Sequence, residues 1–145
     1  MSLATYKGTV YPWHCDHMGH MNVMWYVGKF DEATWQFFNL LGLTPASLRN
    51  ASRGLVAVHQ EISYRKELLA GDVISISTML KEIRNKTIRF EHTMVNDETQ
   101  EVAATTNLTG VYIDTILRKS CPFEPHLRDR AQELLREMPP ENESS

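Results

Sequence analysis

Cysteine is scarce in this chain of 145 residues, which holds only Cys15 and Cys121. Two distant thiols form neither a disulfide framework nor a Cys-x-x-Cys pair; that excludes a cystine-stapled secreted scaffold and fits a reducing cytoplasm. Long apolar runs are missing as well. No stretch approaches the ~18 residues of a membrane span, and no charged segment leads into an apolar one as in a secretory leader. The expected location is therefore cytoplasmic. A strong charge of either sign is also lacking. The formal net charge is −3 and the basic residues are scattered, which argues against nucleic acid or an acidic membrane surface as partner. Neither a repeat nor a linker interrupts the chain, and without a Gly-x-Ser-x-Gly elbow the α/β-hydrolase route to ester chemistry is closed.

What is present is enough apolar side chain, 42% of residues, for one globular core. A single domain over 1–138 is expected. The polar, acidic end at 139–145 lacks apolar anchors and is expected to be disordered.

The densest information lies in Asp16-His17-Met18-Gly19-His20-Met21-Asn22. This polar loop joins a strand-like stretch at 5–13 to a long helical pattern at 23–41. In that pattern Val23, Tyr26, Phe30, Ala33, Phe37 and Leu41 recur every three to four residues. Asn22 is placed to cap the helix and Gly42 to end it. Lys29, Asp31, Glu32, Gln36 and Asn39 read as its polar side. Trp25 and Trp35 add aromatic bulk there, which predicts a helix buried on most sides. Thr44-Pro45 then opens a short second helix.

From Gly54 onward the period becomes two. The stretches 55–64, 73–80, 87–95 and 101–113 are rich in β-branched and aromatic residues and read as strands. The gaps at 84–86 and 96–100 suit antiparallel hairpins. Residues 125–138 read as an amphipathic C-terminal helix with Leu127, Ala131, Leu134, Leu135 and Met138 on one side. The order predicts an α+β fold: a five-stranded antiparallel sheet wrapped around one long central helix, with a helix at the end. Such a sheet leaves edges, and a second copy of the chain is a natural cover for them.

A carboxylate just before a helix start lies beside unpaired N–H groups and the positive end of the helix dipole. That juxtaposition suits acyl chemistry. A thiol, with a pKa of about 8.5, leaves without much protonation, so one carboxylate acting as base or nucleophile suffices for a thioester. Gly19 lets the loop backbone come close to a substrate. Each residue has a plainer reading beside this one. Asp16 is also a common capping or turn residue, Asn22 is a cap or a substrate contact, and His20 either orients the loop or faces the substrate. His14, His17 and His20 invite a metal reading, but their spacing converges only on a helix, so no metal and no cofactor is expected. Cys15 reads as a small buried side chain. Trp25 and Trp35 read as core, as acyl-pocket wall, or as a cage for a quaternary ammonium group. His59 and Glu61 share a strand face, either as ordinary sheet polarity or reaching a partner subunit's site.

Trp13-His14-Cys15-Asp16-His17-Met18-Gly19-His20-Met21-Asn22, with Tyr26 four residues on, resembles the D-x-D-x-x-G-H-x-N signature of hotdog-fold acyl-CoA thioesterases. The likeness is to the 4-hydroxybenzoyl-CoA thioesterase-like branch. Glu61-Ile62-Ser63-Tyr64-Arg65 and Ala70-Gly71-Asp72-Val73 are similar to its second strand and following turn. The resemblance implies an acyl-CoA thioesterase with Asp16 as catalytic carboxylate and the Val23 backbone N–H polarising the thioester carbonyl. It implies Arg84 and Lys86 near the coenzyme A phosphates, Tyr26 toward the substrate, and a homodimer or homotetramer with interfacial sites; the shared strand face adds His59 and Glu61 as candidate substrate contacts. The signature's first aspartate is His14 here, a departure that leaves that position's role open. Two rivals stand beside this reading: a non-catalytic acyl-CoA-binding protein of the same fold, and a hotdog hydratase or dehydratase.

Overall fold

A computed structural model describes residues 2–138; the expected disordered segment at 139–145 lies outside the described residues. The elements run β1 (Leu3–Thr9), α1 (Val23–Leu40), α2 (Pro45–Ala51), β2 (Arg53–Tyr64), β3 (Val73–Ile83), β4 (Thr87–Asn96), β5 (Val102–Asp114), β6 (Lys119–Ser120) and α3 (Pro125–Glu137). The five main strands lie in the order β1-β3-β4-β5-β2, every pair antiparallel, with the two-residue β6 beside β5. This is the curled sheet and long helix that the element order predicts.

Alternation builds the inner face. Along β3 the side chains of Ile74, Ile76, Thr78 and Leu80 are buried while their neighbours are not, which is the period of a half-buried strand. Phe37 and Phe38 of α1 pack with Leu80, Ile88, Phe90 and Leu108, and Phe30 and Ala33 pack with Ile74, Ile76, Met94 and Ala104. Between these two clusters runs a polar thread. Buried His92 meets Thr34 through Nε2 at 2.8 Å and Thr78 through Nδ1 at 2.7 Å, and Thr78 meets Thr5 at 2.8 Å. Burial holds the imidazole neutral, its pKa pushed down to about 3, because a charge there would lose its hydration.

Three expectations change. The first strand ends at Thr9, and Pro12–His14 forms a 3-10 turn instead of continuing it; Pro12 has no N–H to give a ladder. The helix α1 is buried along one stripe only: Val23, Met24, Val27, Trp35 and Leu40 are exposed apolar residues. Lys29 is buried, not part of a solvated face, and its Nζ donates to the Tyr6 hydroxyl at 3.1 Å. Both helix ends are tied down. Asn22 Oδ1 accepts from the Met24 N–H at 2.9 Å, and the Arg130 guanidinium of α3 donates to the Leu40 carbonyl at 2.7 Å, satisfying an otherwise unpaired helix-terminal acceptor.

Candidate active site

The loop before α1 is held by its own backbone. Cys15 and Met21 form an isolated antiparallel bridge, the Asp16 N–H donates to the His20 carbonyl at 3.2 Å, and Gly19 N–H donates to the Asp16 carbonyl at 3.0 Å. Gly19 turns through φ +89°, and a Cβ there would meet nothing within 4 Å. Backbone conformation, not crowding within the chain, is what calls for glycine at this point. The loop is anchored to the turn before β3, where the Met21 N–H donates to the Leu68 carbonyl at 2.7 Å.

Asp16 is partly exposed, and both of its oxygens are engaged. Oδ1 accepts from the Met18 N–H at 2.8 Å and Oδ2 from Asn22 Nδ2 at 2.8 Å. The amide of Asn22, then the Met18 N–H, hold its pKa below the usual carboxylate value, since both donors favour the charged form. Asn22 also consumes first-turn donors of the helix: its side chain takes the Met24 N–H and its carbonyl accepts from the Trp25 N–H at 2.9 Å. The Val23 N–H, first in the helix, has no such partner among the described residues.

His20, Val23 and Tyr26 line one cleft of about 260 Å³, together with Met21, Tyr64, Arg65, Lys66 and Glu67. His20 Nε2 lies 3.7 Å from Glu67 Oε1. Tyr26 is a buried wall of the cleft. Its ring stands edge-on to Tyr64 at 5.1 Å, its hydroxyl donates to the Lys66 carbonyl at 3.3 Å, and burial pushes its pKa up to about 12. A second pocket of about 110 Å³ lies farther along the helix, lined by Val27, Asp31, Trp35, Phe38, Gln60 and Phe90 among others. Val23, Val27 and Asp31 recur every fourth residue, so they share one side of α1, and Asp31 lies about 12 Å beyond Val23 along the axis.

Other expected site residues fall elsewhere. The register of β2 against β5 breaks between Ala57 and His59. This bulge pairs Gln60 with core residue Leu108, while His59 faces Thr109 and Glu61 faces Asn107. It thus turns Gln60 inward toward α1, and His59 and Glu61 outward, because one extra residue reverses the alternation. Arg84 and Lys86 sit in the β3–β4 turn, at the opposite end of the 11-residue β3 from the Asp16 loop, roughly 35 Å away along the strand. Arg84 Nε is also ion-paired with Glu82 at 3.0 Å. Within one chain these two cations do not reach Asp16. Arg65 and Lys66, which line the cleft, carry no role in the sequence reading; their signal is a basic pair directly at the end of β2.

His14, in place of the signature's first aspartate, is buried and its ring has partners other than Asp16. Its Nδ1 accepts from the Tyr11 N–H at 3.0 Å, its carbonyl accepts from the Asn22 N–H at 2.9 Å, and its ring packs on Trp25 at 4.5 Å. Among the described residues no three His, Cys, Asp or Glu side chains are grouped to hold a metal ion.

Comparisons with known proteins follow the same line. The sequence pattern of the thioesterase-like superfamily matches residues 10–131. The long-chain acyl-CoA thioesterase FadM of Escherichia coli K12 is 23% identical over 125 residues, 86% of this chain and 93% of that one. A Staphylococcus aureus protein solved in complex with CoA superposes with a TM-score of 0.90 at 20% identity, over 98% of this chain and 90% of that one. A 1,4-dihydroxy-2-naphthoyl-CoA thioesterase from Synechocystis gives a TM-score of 0.80 at 16% identity, over 92% of this chain and 98% of that one. With its family match spanning most of the chain and a hotdog sheet around its helix, this protein belongs to the thioesterase-like superfamily and is a thioester hydrolase.

Proposed function

We propose that the protein hydrolyses acyl-CoA thioesters to free acid and coenzyme A, with Asp16 as the reacting carboxylate. The observation that carries this reading is an ionised Asp16, clamped by Asn22 and Met18, on the loop that runs directly into α1, whose first N–H, at Val23, is unclaimed among the described residues. The thioester carbonyl oxygen accepts from that N–H, whose strength grows as negative charge develops in the tetrahedral intermediate. Either Asp16 takes a proton from a water that attacks the carbonyl carbon, or Asp16 attacks that carbon itself to form a mixed anhydride, which water then hydrolyses to the free acid; in both routes the thiolate departs. His20 and Asn22 orient the loop, and Gly19 supplies the turn that brings Asp16 back toward the helix.

The cleft at the end of β2 suits the pantetheine arm, with Arg65 and Lys66 as the nearer cations for the nucleotide phosphates. Arg84 and Lys86 join them only from a second copy of the chain. The pocket of Val27, Asp31, Trp35 and Gln60 is the acyl end. Exposed Val56, Val58 and Tyr64 on edge strand β2, with Val23, Met24 and Trp35 on α1, support a homodimer or a tetramer built from it.

The test is thiol release over short, branched, aromatic, long-chain and cationic acyl-CoAs, the last because Asp31 gives the pocket a carboxylate and Trp35 an aromatic face. Asp16→Asn should fold normally and lose nearly all turnover of the best substrate. Wild-type turnover in that variant sinks the assignment. Tight acyl-CoA binding without thiol release marks a non-catalytic binder, and hydration of an enoyl thioester marks a hydratase.

A further inference from the structure

The buried Lys29 is the group that thioester hydrolysis leaves unused. It is 4% exposed, its ammonium pairs with no carboxylate among the described residues, and its one neutral acceptor is the Tyr6 hydroxyl at 3.1 Å. An ammonium taken out of water without a counter-charge is costly. Yet the protein goes to some length to hold it there. The phenol of Tyr6 folds back over Gly8, where any Cβ would collide with it; the ring carbons Cε1 and Cζ come within 2.8 Å of that position.

Lys29 lines a cleft of about 580 Å³ between β1, the Pro12–His14 turn and α1. This cleft lies on the side of α1 marked by Trp25, Gly28, Lys29 and Glu32, across the helix from the side that carries Val23, Val27 and Asp31. Its aromatic walls are open: Trp13 is 67% exposed and stacks on Tyr11 at 4.5 Å and 5°. The His14 ring lines the cleft too. With Nδ1 accepting from Tyr11, its neutral form carries the proton on Nε2. Burial, then the charge of Lys29, lowers the pKa of His14 and keeps it neutral. The cleft therefore offers one cation, one neutral N–H donor and flat apolar faces. Glu32 at the rim disfavours a second negative charge.

We propose that this cleft is a second ligand site that takes a small aromatic monocarboxylate, its carboxylate on the Lys29 ammonium and its ring against Trp13 and Trp25. One ammonium balances one negative charge, which selects a carboxylate over a phosphate dianion. The aromatic walls select a planar ring over an aliphatic acid. The His14 carbonyl that holds the Asn22 N–H belongs to the same turn, so an occupant rests against the base of the Asp16 loop.

Titration calorimetry and tryptophan fluorescence with benzoate test the site in the full-length protein, with benzyl alcohol, acetate and inorganic phosphate as comparison probes. Benzoate should bind, and each of the other three should bind roughly tenfold more weakly or worse. Lys29→Met keeps the side-chain stem and removes an unpaired buried charge, so it should melt no lower than wild type and lose benzoate roughly tenfold or more. Exposed Trp13→Ala, which leaves the core intact, should also weaken benzoate several-fold. Glu32→Gln should bind it at least as well as wild type. No benzoate binding at millimolar concentration, equal binding by Lys29→Met, or tighter binding of phosphate overturns the proposal. Since the readout is binding, its failure leaves the assignment of Asp16 standing, and loss of thioesterase activity in Asp16→Asn leaves this site standing.

Discussion

Asn22 holds Asp16 with one end of its amide and the helix with the other: Nδ2 donates to Asp16 Oδ2 at 2.8 Å while Oδ1 accepts the Met24 N–H at 2.9 Å. The first contact sets the acidity of Asp16. The second occupies a helix-terminal donor, while the Val23 N–H has no partner among the described residues. A single side chain thus prepares both partners of the proposed reaction.

The two ends can be separated by mutation. Asn22→Asp keeps an oxygen acceptor for the Met24 N–H but replaces the amide donor with a like charge beside Asp16. The cap itself should survive, because Asp caps about as well as Asn, while the repulsion beside Asp16 should lower stability at neutral pH and be relieved in acid. Turnover should fall, and the acid limb of the pH–rate profile should move to higher pH as Asp16 loses its donor and gains a repelling neighbour. Asn22→Ala also removes the cap, and that loss should lower stability by about 1 kcal/mol. An unmoved acid limb in Asn22→Asp would detach Asp16 from the rate.

Val23→Pro removes the N–H at the first helical position, where proline is well tolerated. The expected result is a normally folded protein whose kcat falls by roughly 100–1,000-fold. Circular dichroism checks the helix and single-turnover thiol release checks the chemistry. A variant that folds and turns over as wild type removes Val23 from the mechanism.

Arg65→Ala should raise KM for an acyl-CoA while leaving hydrolysis of the matching acyl-pantetheine unchanged, since only the former carries the nucleotide phosphates. The cation lines the cleft that holds Val23 and His20. Arg84→Ala, at the far end of β3 and already paired with Glu82, should show the same pattern only if a second copy brings its turn to the site. The comparison of the two variants therefore reads the arrangement of the oligomer.

Acid should destabilise the fold through His92. Its folded pKa of about 3 lies below the ordinary 6.5, so between those values the unfolded chain binds a proton that the folded one refuses. The His92 contribution is complete above pH 6.5 and declines as pH falls, by about 1.4 kcal/mol per pH unit, down to the folded value. Urea unfolding at several pH values measures the slope. His92→Gln should be less stable at neutral pH and should lose this part of the acid dependence; an identical slope in the variant refutes the linkage.

The elements and the loop were legible because their signals are local. Three- to four-residue spacing from Tyr26 to Leu41, alternation in the later strands, Asn22 as cap and Thr44-Pro45 as helix start all survive into the structure. Each depends on a few neighbouring residues and on the fixed geometry of helix and strand. The Asp16–Asn22 loop was readable for the same reason, since its residues run directly into the start of the helix.

Three-dimensional packing decided which side chains share a space. A bulge near Val58 sends Gln60 inward and His59 and Glu61 outward, and alternation alone does not announce where it will slip. Lys29 on a mixed helix face reads as solvated until Tyr6 arrives from β1 to cover it. Arg84 lies in a turn that sequence likeness brings toward the substrate, while the length of β3 carries it away within the chain. Local periodicity determines the elements of this protein. Register, strand length and the approach of distant strands determine what each site contains, because those depend on residues far apart in the chain.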